Sequence, residues 1–228
     1  PLIYTLSASL SQPIHILSGE VVLWPVELTL NSYRRVFASA DILNGYKNTI
    51  LYSVGGTFLN VILTIMAAYP LSLPDLKGKN GITFLITFTM FFSGGLIPGY
   101  LVVQQVGLGD SIWCMILPVL VGQFNIILIK NYVEDLPASI EESARIDGAN
   151  DMVILFKIIL PMSTPIIATV ALFIAVDRWN EYWFAMLHII DKAKQPLQLL
   201  LRNGLMDTPH AMTGAAAAIA SQERKVYD

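Results

Sequence analysis

Apolar positions in this chain fall into long unbroken blocks, and the polar positions collect between them. Between Lys47 and Asp75 lie 27 residues without an acidic or basic side chain, and between Lys79 and Asp110 lie 30. Asp110 to Lys130 encloses 19 more, and Lys157 to Asp177 another 19. A helix rises about 1.5 Å per residue, so roughly 20 apolar residues cross a hydrocarbon core of about 30 Å. The blocks therefore predict four spans: Thr49 to Leu71, Ile82 to Val103, Ile112 to Ile129, and a fourth starting near Pro161.

The intervening segments differ in kind. Residues 1–19 carry no Asp, Glu, Lys or Arg but hold Pro1, Pro13 and five serines and threonines, too polar for a complete span. Residues 20–47 mix Glu20, Glu27, Arg34, Arg35 and Asp41 with Trp24 and Tyr33, an aqueous or interfacial connection. Pro74 to Gly81 predicts a short turn between antiparallel helices. Ser93-Gly94-Gly95-Leu96-Ile97-Pro98-Gly99 interrupts the second block. It is either the end of a helix near Phe92 or a kink lining a pathway, with Gly94, Gly95 and Pro98 as candidate lining residues.

Residues 130–157 are the opposite of a span, with nine charges in 28 residues. Ile140, Ala144 and Ile146 still give them helical spacing, and Ser139-x-x-Glu142 after Pro137 has the spacing of a capping box. Ser139 is expected to cap a short helix there, and Gly148 to end it. Pro161 and Pro165 are expected in the first turns of the fourth span, where proline costs least.

Composition agrees with the blocks. Charged residues make up 14% of the chain, against about 25% in an average soluble domain, and mean hydropathy is +0.59. The net charge of -3 and the lack of a long basic cluster exclude nucleic acid as a partner. The single cysteine, Cys114, lies inside an apolar block and has no internal partner for a disulfide. His15, His188 and His210 are far apart, so no metal site is expected. There is no GxxxxGK[ST], GxGxxG, HExxH or CxxC, so neither a catalytic residue nor a cofactor is expected. The span interiors contain no acidic or basic residue, which argues against a secondary carrier or channel working without an ATPase. A polytopic membrane enzyme would need clustered His, Asp or Glu at one membrane face. Only the 130–157 segment has such a cluster, and it lacks a nucleophile–base or metal spacing.

One motif is specific. Glu141-Glu142-Ser143-Ala144, then Asp147-Gly148-Ala149, then nine residues and Ile158-x-Leu160-Pro161, resembles the cytoplasmic "EAA" signature of ABC importer permeases. The spacing is met at every anchor, and Ser143 stands where the family has its first alanine. Tyr69-Pro70-Leu71-Ser72, Phe92 to Pro98 and Arg178-Trp179-Asn180-Glu181 are similar to the carbohydrate-uptake branch, maltose-type second permeases among them.

The resemblance implies an all-α, polytopic transmembrane helical bundle of the type I ABC importer permease fold, cut at both ends. Residues 1–12 are then the outer end of a first membrane helix and 13–47 an extracellular connection. Residues 48–190 form the permease core with its coupling loop at 130–160, and 191–228 an extracellular connection ahead of a last helix. The implied partners are two ABC ATPase subunits, a homologous sister permease, an extracellular sugar-binding lipoprotein and membrane lipid. Glu142 matches the motif glutamate that contacts the ATPase. Sugar as substrate rests on the resemblance alone. So does orientation, since only five of the fourteen basic residues (Lys77, Lys79, Lys130, Arg145 and Lys157) fall in the segments assigned to the cytoplasm. Asp191 to Leu201 is expected as an interfacial helix lying on the bilayer. Arg202 to Thr213, with Arg202, Asp207 and His210, is expected to dock the binding protein.

Overall fold

A computed structural model describes residues 1–204. The described residues are helical and contain no strand. In order they are α1 (Leu2–Ser9), α2 (Pro13–Leu17), α3 (Asn31–Ala38), α4 (Ala40–Ser72), α5 (Lys79–Phe91), α6 (Leu96–Gln105), α7 (Ile112–Ile116), α8 (Gln123–Glu134), α9 (Ala138–Ile146), α10 (Asp151–Ile154), α11 (Leu160–Met162), α12 (Thr164–Asn180) and α13 (Trp183–His188). A further helix covers 197–204.

Among the described residues, the four apolar blocks are the places apolar enough to cross a membrane, but α4 alone does so as one helix. Its 33 residues extend roughly 50 Å at 1.5 Å per residue, longer than a bilayer core. It starts at Ala40, so the expectation of a start at Thr49 is corrected: Asp41 and Lys47 belong to a helical end projecting beyond the apolar stretch.

The other three spans are broken, where the sequence reading took the third as continuous. α5 and α6 meet at 113°, so the second block turns back on itself. Its helix ends at Phe91, as one of the two readings required, and Gly95 at φ +87 makes the reversal. Ile112–Val119 meets α8 at 48° across Leu120 to Gly122, just after a 3-10 turn that holds Pro118. The freed Val119 carbonyl is met by the Asn60 Nδ2 amide of α4 at 3.0 Å, and Thr64 Oγ1 donates to Asn60 Oδ1 at 3.0 Å. These side chains are buried inside α4. They allow a non-helical backbone to survive where no water satisfies it.

The fourth span begins at Asp151, ten residues before the expected start, and bends by 79° into α12 at Ser163. A π turn, Leu155–Ile159, precedes Pro161. Pro165 lies in the first turn of α12 as expected, whereas Pro161 lies before the bend. Pro165 lacks the N–H that an unbroken helix would give the Pro161 carbonyl, and Thr164 Oγ1 donates to that oxygen instead at 2.7 Å.

Buried side chains form two clusters, one toward each end of α4. The first gathers Ile65, Ala68, Tyr69 and Leu71 of α4 with Ile126, Ile129 and Val133 of α8, Ala144 of α9, Ile154, Leu155 and Ile159, and Val170 and Ile174 of α12. The second joins Tyr52 to Val103, Cys114, Met115, Ala185, Ile189 and Leu199. Cys114 is wholly buried and free, a small packing residue.

The last described segment packs against the bundle itself. Residues 191–201 pack back onto the first half of α4, with Leu197 and Leu199 buried. The Leu197 N–H donates to Thr49 Oγ1 at 2.9 Å. Gly45 permits the contact, since a Cβ there would stand 2.7 Å from Leu200 Cδ1 and 3.2 Å from the Leu197 backbone. Asp207 and His210 lie outside the described residues.

Candidate functional site

The motif residues build a short amphipathic helix at one end of the bundle. α9 begins at Ala138 with Pro137 as its N-cap residue and no side-chain cap. The capping-box expectation is therefore corrected. Ser139 lies inside the first turn, and its carbonyl accepts the Ser143 hydroxyl at 2.7 Å. Proline at the N-cap, its φ fixed at -58, sets the entry of the chain instead.

The helix stops as the sequence requires. Gly148 has φ +81, a left-handed conformation open to glycine at little cost. The Gly148 N–H bonds the Arg145 carbonyl and the Ala149 N–H bonds the Ala144 carbonyl, both at 3.0 Å. This pair of bonds is a Schellman closure that satisfies two of the last carbonyls of α9. Asn150 then caps the next helix, its Oδ1 accepting the Val153 N–H at 2.9 Å.

Arg145 ties the two helices across this turn. Its guanidinium donates to Glu141 Oε1 at 2.8 Å and pairs with Asp151 Oδ1 at 2.7 Å. The bond to Glu141, with the charge of Asp151, pushes Arg145 further above its already basic range. The pair is solvent-exposed, so it fixes geometry more than it adds stability.

The faces of α9 divide cleanly. Ala144 is buried in the first cluster, and Ala149, Ile158 and Leu160 pack against its edge. Pro161 precedes the bend at Ser163. Ile146 is 86% exposed although it is apolar. Glu142 and Asp147 are exposed, and neither side chain has a hydrogen bond or ion pair among the described residues. The turn after α4 lies beside this face: Leu73, Asp75 and Leu76 share with Ala138, Glu142 and Arg145 a cleft of about 450 Å³. Thus 73–78 and 138–149, far apart in sequence, lie at one end of the molecule. Lys79 at the start of α5 and Lys130 on α8 both pair with Glu134, each at 2.6 Å.

The remaining sequence-named residues lie elsewhere. Gly94, Gly95 and Pro98 are exposed at the α5–α6 reversal. Arg202 lies on the 197–204 helix at the far end of α4, its guanidinium 5.6 Å from the centroid of the Tyr182 ring. None of these joins the α9 site.

Sequence reading missed the polar connections at that far end. Asp110 Oδ1 accepts the Ile190 and Asp191 N–H groups at 3.1 and 3.0 Å, and Lys194 Nζ donates to the Asp110 carbonyl at 2.8 Å. The Asp191 N–H, with Ile190 and Lys194, holds the Asp110 carboxyl below the usual carboxylate range. Nearby, His188 is buried between Tyr100 and Phe184, with ring centroids 5.2 and 4.3 Å away, and its Nδ1 has no partner.

Burial lowers the His188 pKa, because it penalises the imidazolium. A folded-state pKa below the unfolded one means that only the unfolded chain takes the proton as pH falls through the ordinary histidine range near 6.5. Stability is then full above that range and declines below it. Thermal inactivation of the purified protein is expected to occur at lower temperature at pH 5.5 than at pH 7.5, and His188→Phe is expected to reduce the difference. An equal pH effect in both proteins would show that His188 is not its source.

The sequence profile described as "Binding-protein-dependent transport system inner membrane component" matches residues 42–220. The polygalacturonan/rhamnogalacturonan transport system permease protein YtcP of Bacillus subtilis is 44% identical over 202 residues, covering 89% of this chain and 71% of that one. Protein LplC of the same organism is 41% identical, covering 89% and 68%. Among solved structures, a bacterial ABC transporter involved in import of the acidic polysaccharide alginate superposes with a TM-score of 0.89 at 39% identity. That alignment covers 91% of this chain and 74% of the other.

Proposed function

The chain belongs to the family of inner membrane components of binding-protein-dependent transport systems, and from that membership we propose an importer of anionic oligosaccharides in which α9 is the docking element for an ATPase subunit. As a family member it is a membrane permease component of an ABC transporter. ATP hydrolysis belongs to two separate ATPase subunits, and a homologous permease completes the pathway. A substrate-binding protein delivers the sugar from outside.

The observation that carries the reading is the construction of α9. It is anchored by Ala144 on one face and closed at Gly148, and it presents Ile146, Glu142 and Asp147 outward with no partner among the described residues. An apolar side chain beside unpaired carboxylates on a rigid helix supports docking into a groove of a soluble subunit. The α4–α5 turn, at the same cleft, belongs to the same cytoplasmic face. The opposite end, residues 107–111 and 188–204, is then extracellular, and 191–213 with Arg202 meets the binding protein. The exposed α5–α6 reversal at Gly94 to Pro98 borders the pathway. A uronate-containing substrate is supported by the named substrates of YtcP and of the superposing transporter, polygalacturonan and alginate, both carboxylated polymers.

Native mass spectrometry of the chain purified with its co-expressed neighbours tests the assembly. The expected mass is one copy of this chain, one homologous permease and two ATPase subunits. A homodimer that takes up oligogalacturonate with no ATPase bound would overturn the reading.

A further inference from the structure

Four side chains at the outer end of the bundle grip a single stretch of main chain. Asn48 Nδ2 of α4 donates to the Ala193 and Gln195 carbonyls at 2.7 and 3.1 Å, and Tyr52 Oη donates to the Lys194 carbonyl at 2.8 Å. Thr49 accepts the Leu197 N–H. These bonds fix 193–197 from one side. From the other, the Asp110 carboxylate receives two successive amides, Ile190 and Asp191, on a single oxygen, while its second oxygen lies 3.3 Å from Lys194 Nζ. Asp110 also donates its own N–H to the His188 carbonyl at 2.9 Å.

Asp110 does this from an unusual backbone. Its φ is +51, one of two non-glycine residues with positive φ among those described. Aspartate tolerates that region better than most residues, but an outlier persists only where surrounding contacts over-determine it. Here the contacts are the three donors just named. The turn held this way presents Ile190, which is 85% exposed, at its tip. Asp191 then caps the Lys192–Lys194 turn through the Ala193 N–H at 2.9 Å. Next comes the helix 197–204, bearing Arg202.

We propose that Asp110 is a positioning residue that sets the 188–204 segment in the register in which it meets the substrate-binding protein, with Ile190 and Arg202 as the contacting side chains. This rests on the reading that the segment docks that protein. A segment ordered in advance does not lose its freedom on association, so preorganisation appears as affinity for the partner rather than as turnover once bound.

The test uses the whole complex in lipid nanodiscs, with ATPase rate measured against the concentration of its binding protein loaded with oligogalacturonate. Asp110→Gly keeps the left-handed backbone but removes the carboxylate, and Asp110→Asn keeps shape and one acceptor but removes the charge. The half-saturating concentration is expected to rise about tenfold for Asp110→Gly and about threefold for Asp110→Asn, with the saturated rate within about twofold of wild type. In parallel, single cysteines at Ile190 and Arg202 in the otherwise native chain are expected to crosslink to the binding protein. If they crosslink while both Asp110 variants keep the wild-type half-saturation, the positioning role is overturned and docking stands. A fall in saturated rate at unchanged half-saturation overturns it equally. If neither cysteine crosslinks while transport continues, the docking reading falls and the inference falls with it.

Discussion

Proline at Gly148 will abolish substrate transport while the membrane bundle still assembles and the ATPase subunits still hydrolyse ATP. The reason is local. Gly148 sits at φ +81, and proline is locked near -65°. Its ring also removes the N–H that bonds the Arg145 carbonyl and disfavours helical backbone at Asp147. The Schellman closure is lost, and with it the fixed angle between α9 and α10 that Arg145 braces through Glu141 and Asp151. Ala144 can stay in the core, but the outward face of α9 loses its direction. Gly148→Ala is the graded control. An L-residue in the left-handed region costs roughly 1–2 kcal/mol, so coupled transport should fall by about tenfold. The measurement is oligosaccharide uptake per ATP hydrolysed in proteoliposomes. If the proline variant transports at the wild-type ratio, α9 is not the coupling element.

That prediction was legible in the sequence because it depends on a motif with fixed spacing and on glycine, the residue type that adopts positive φ at least cost. The four apolar blocks were legible too, since a missing charge over 19 or more residues has few causes in a folded chain. The shape of the spans was not. Composition alone does not reveal that the third span breaks after Val119, because the donor that meets the freed Val119 carbonyl, Asn60, is 59 residues earlier and reads as an ordinary polar residue inside a membrane helix. The start of α4 was hidden for the opposite reason. Asp41 and Lys47 mark water, and a helix longer than the bilayer is thick carries charges on its projecting end. Ser139 fitted a capping pattern, yet Pro137 started the helix two residues too early for Ser139 to cap it. The clasp around Asp110 joins residues 80 and more apart, and no local pattern marks such pairs.

The second large effect lies at the α9 end of the bundle, at Glu134. Its two carboxylate oxygens hold Lys130 and Lys79 at 2.6 Å each, linking the end of α8 to the start of α5. Lys79 also donates to the Ser72 carbonyl at the end of α4, at 3.1 Å. One carboxylate thus fastens three helices beside the cleft that borders α9. Lys130 is 8% exposed, so its ammonium has little access to water and depends on Glu134 for compensation. Glu134→Gln keeps the shape and removes the charge, leaving one nearly buried cation and one partly buried cation unpaired. Removing one partner of a fully buried pair costs about 3–5 kcal/mol. Glu134 itself is about a third exposed, and water there reduces the loss to about 2 kcal/mol. For a chain of this size that corresponds to a fall of about 6 °C in unfolding midpoint. Adding Lys130→Met should recover most of the loss, because it removes the buried charge and leaves Lys79 its contact with Ser72 and its route to water. Thermal denaturation of the purified complex, followed by tryptophan fluorescence, reads both variants. If the double variant is no more stable than Glu134→Gln, the uncompensated Lys130 charge is not the cause of the loss.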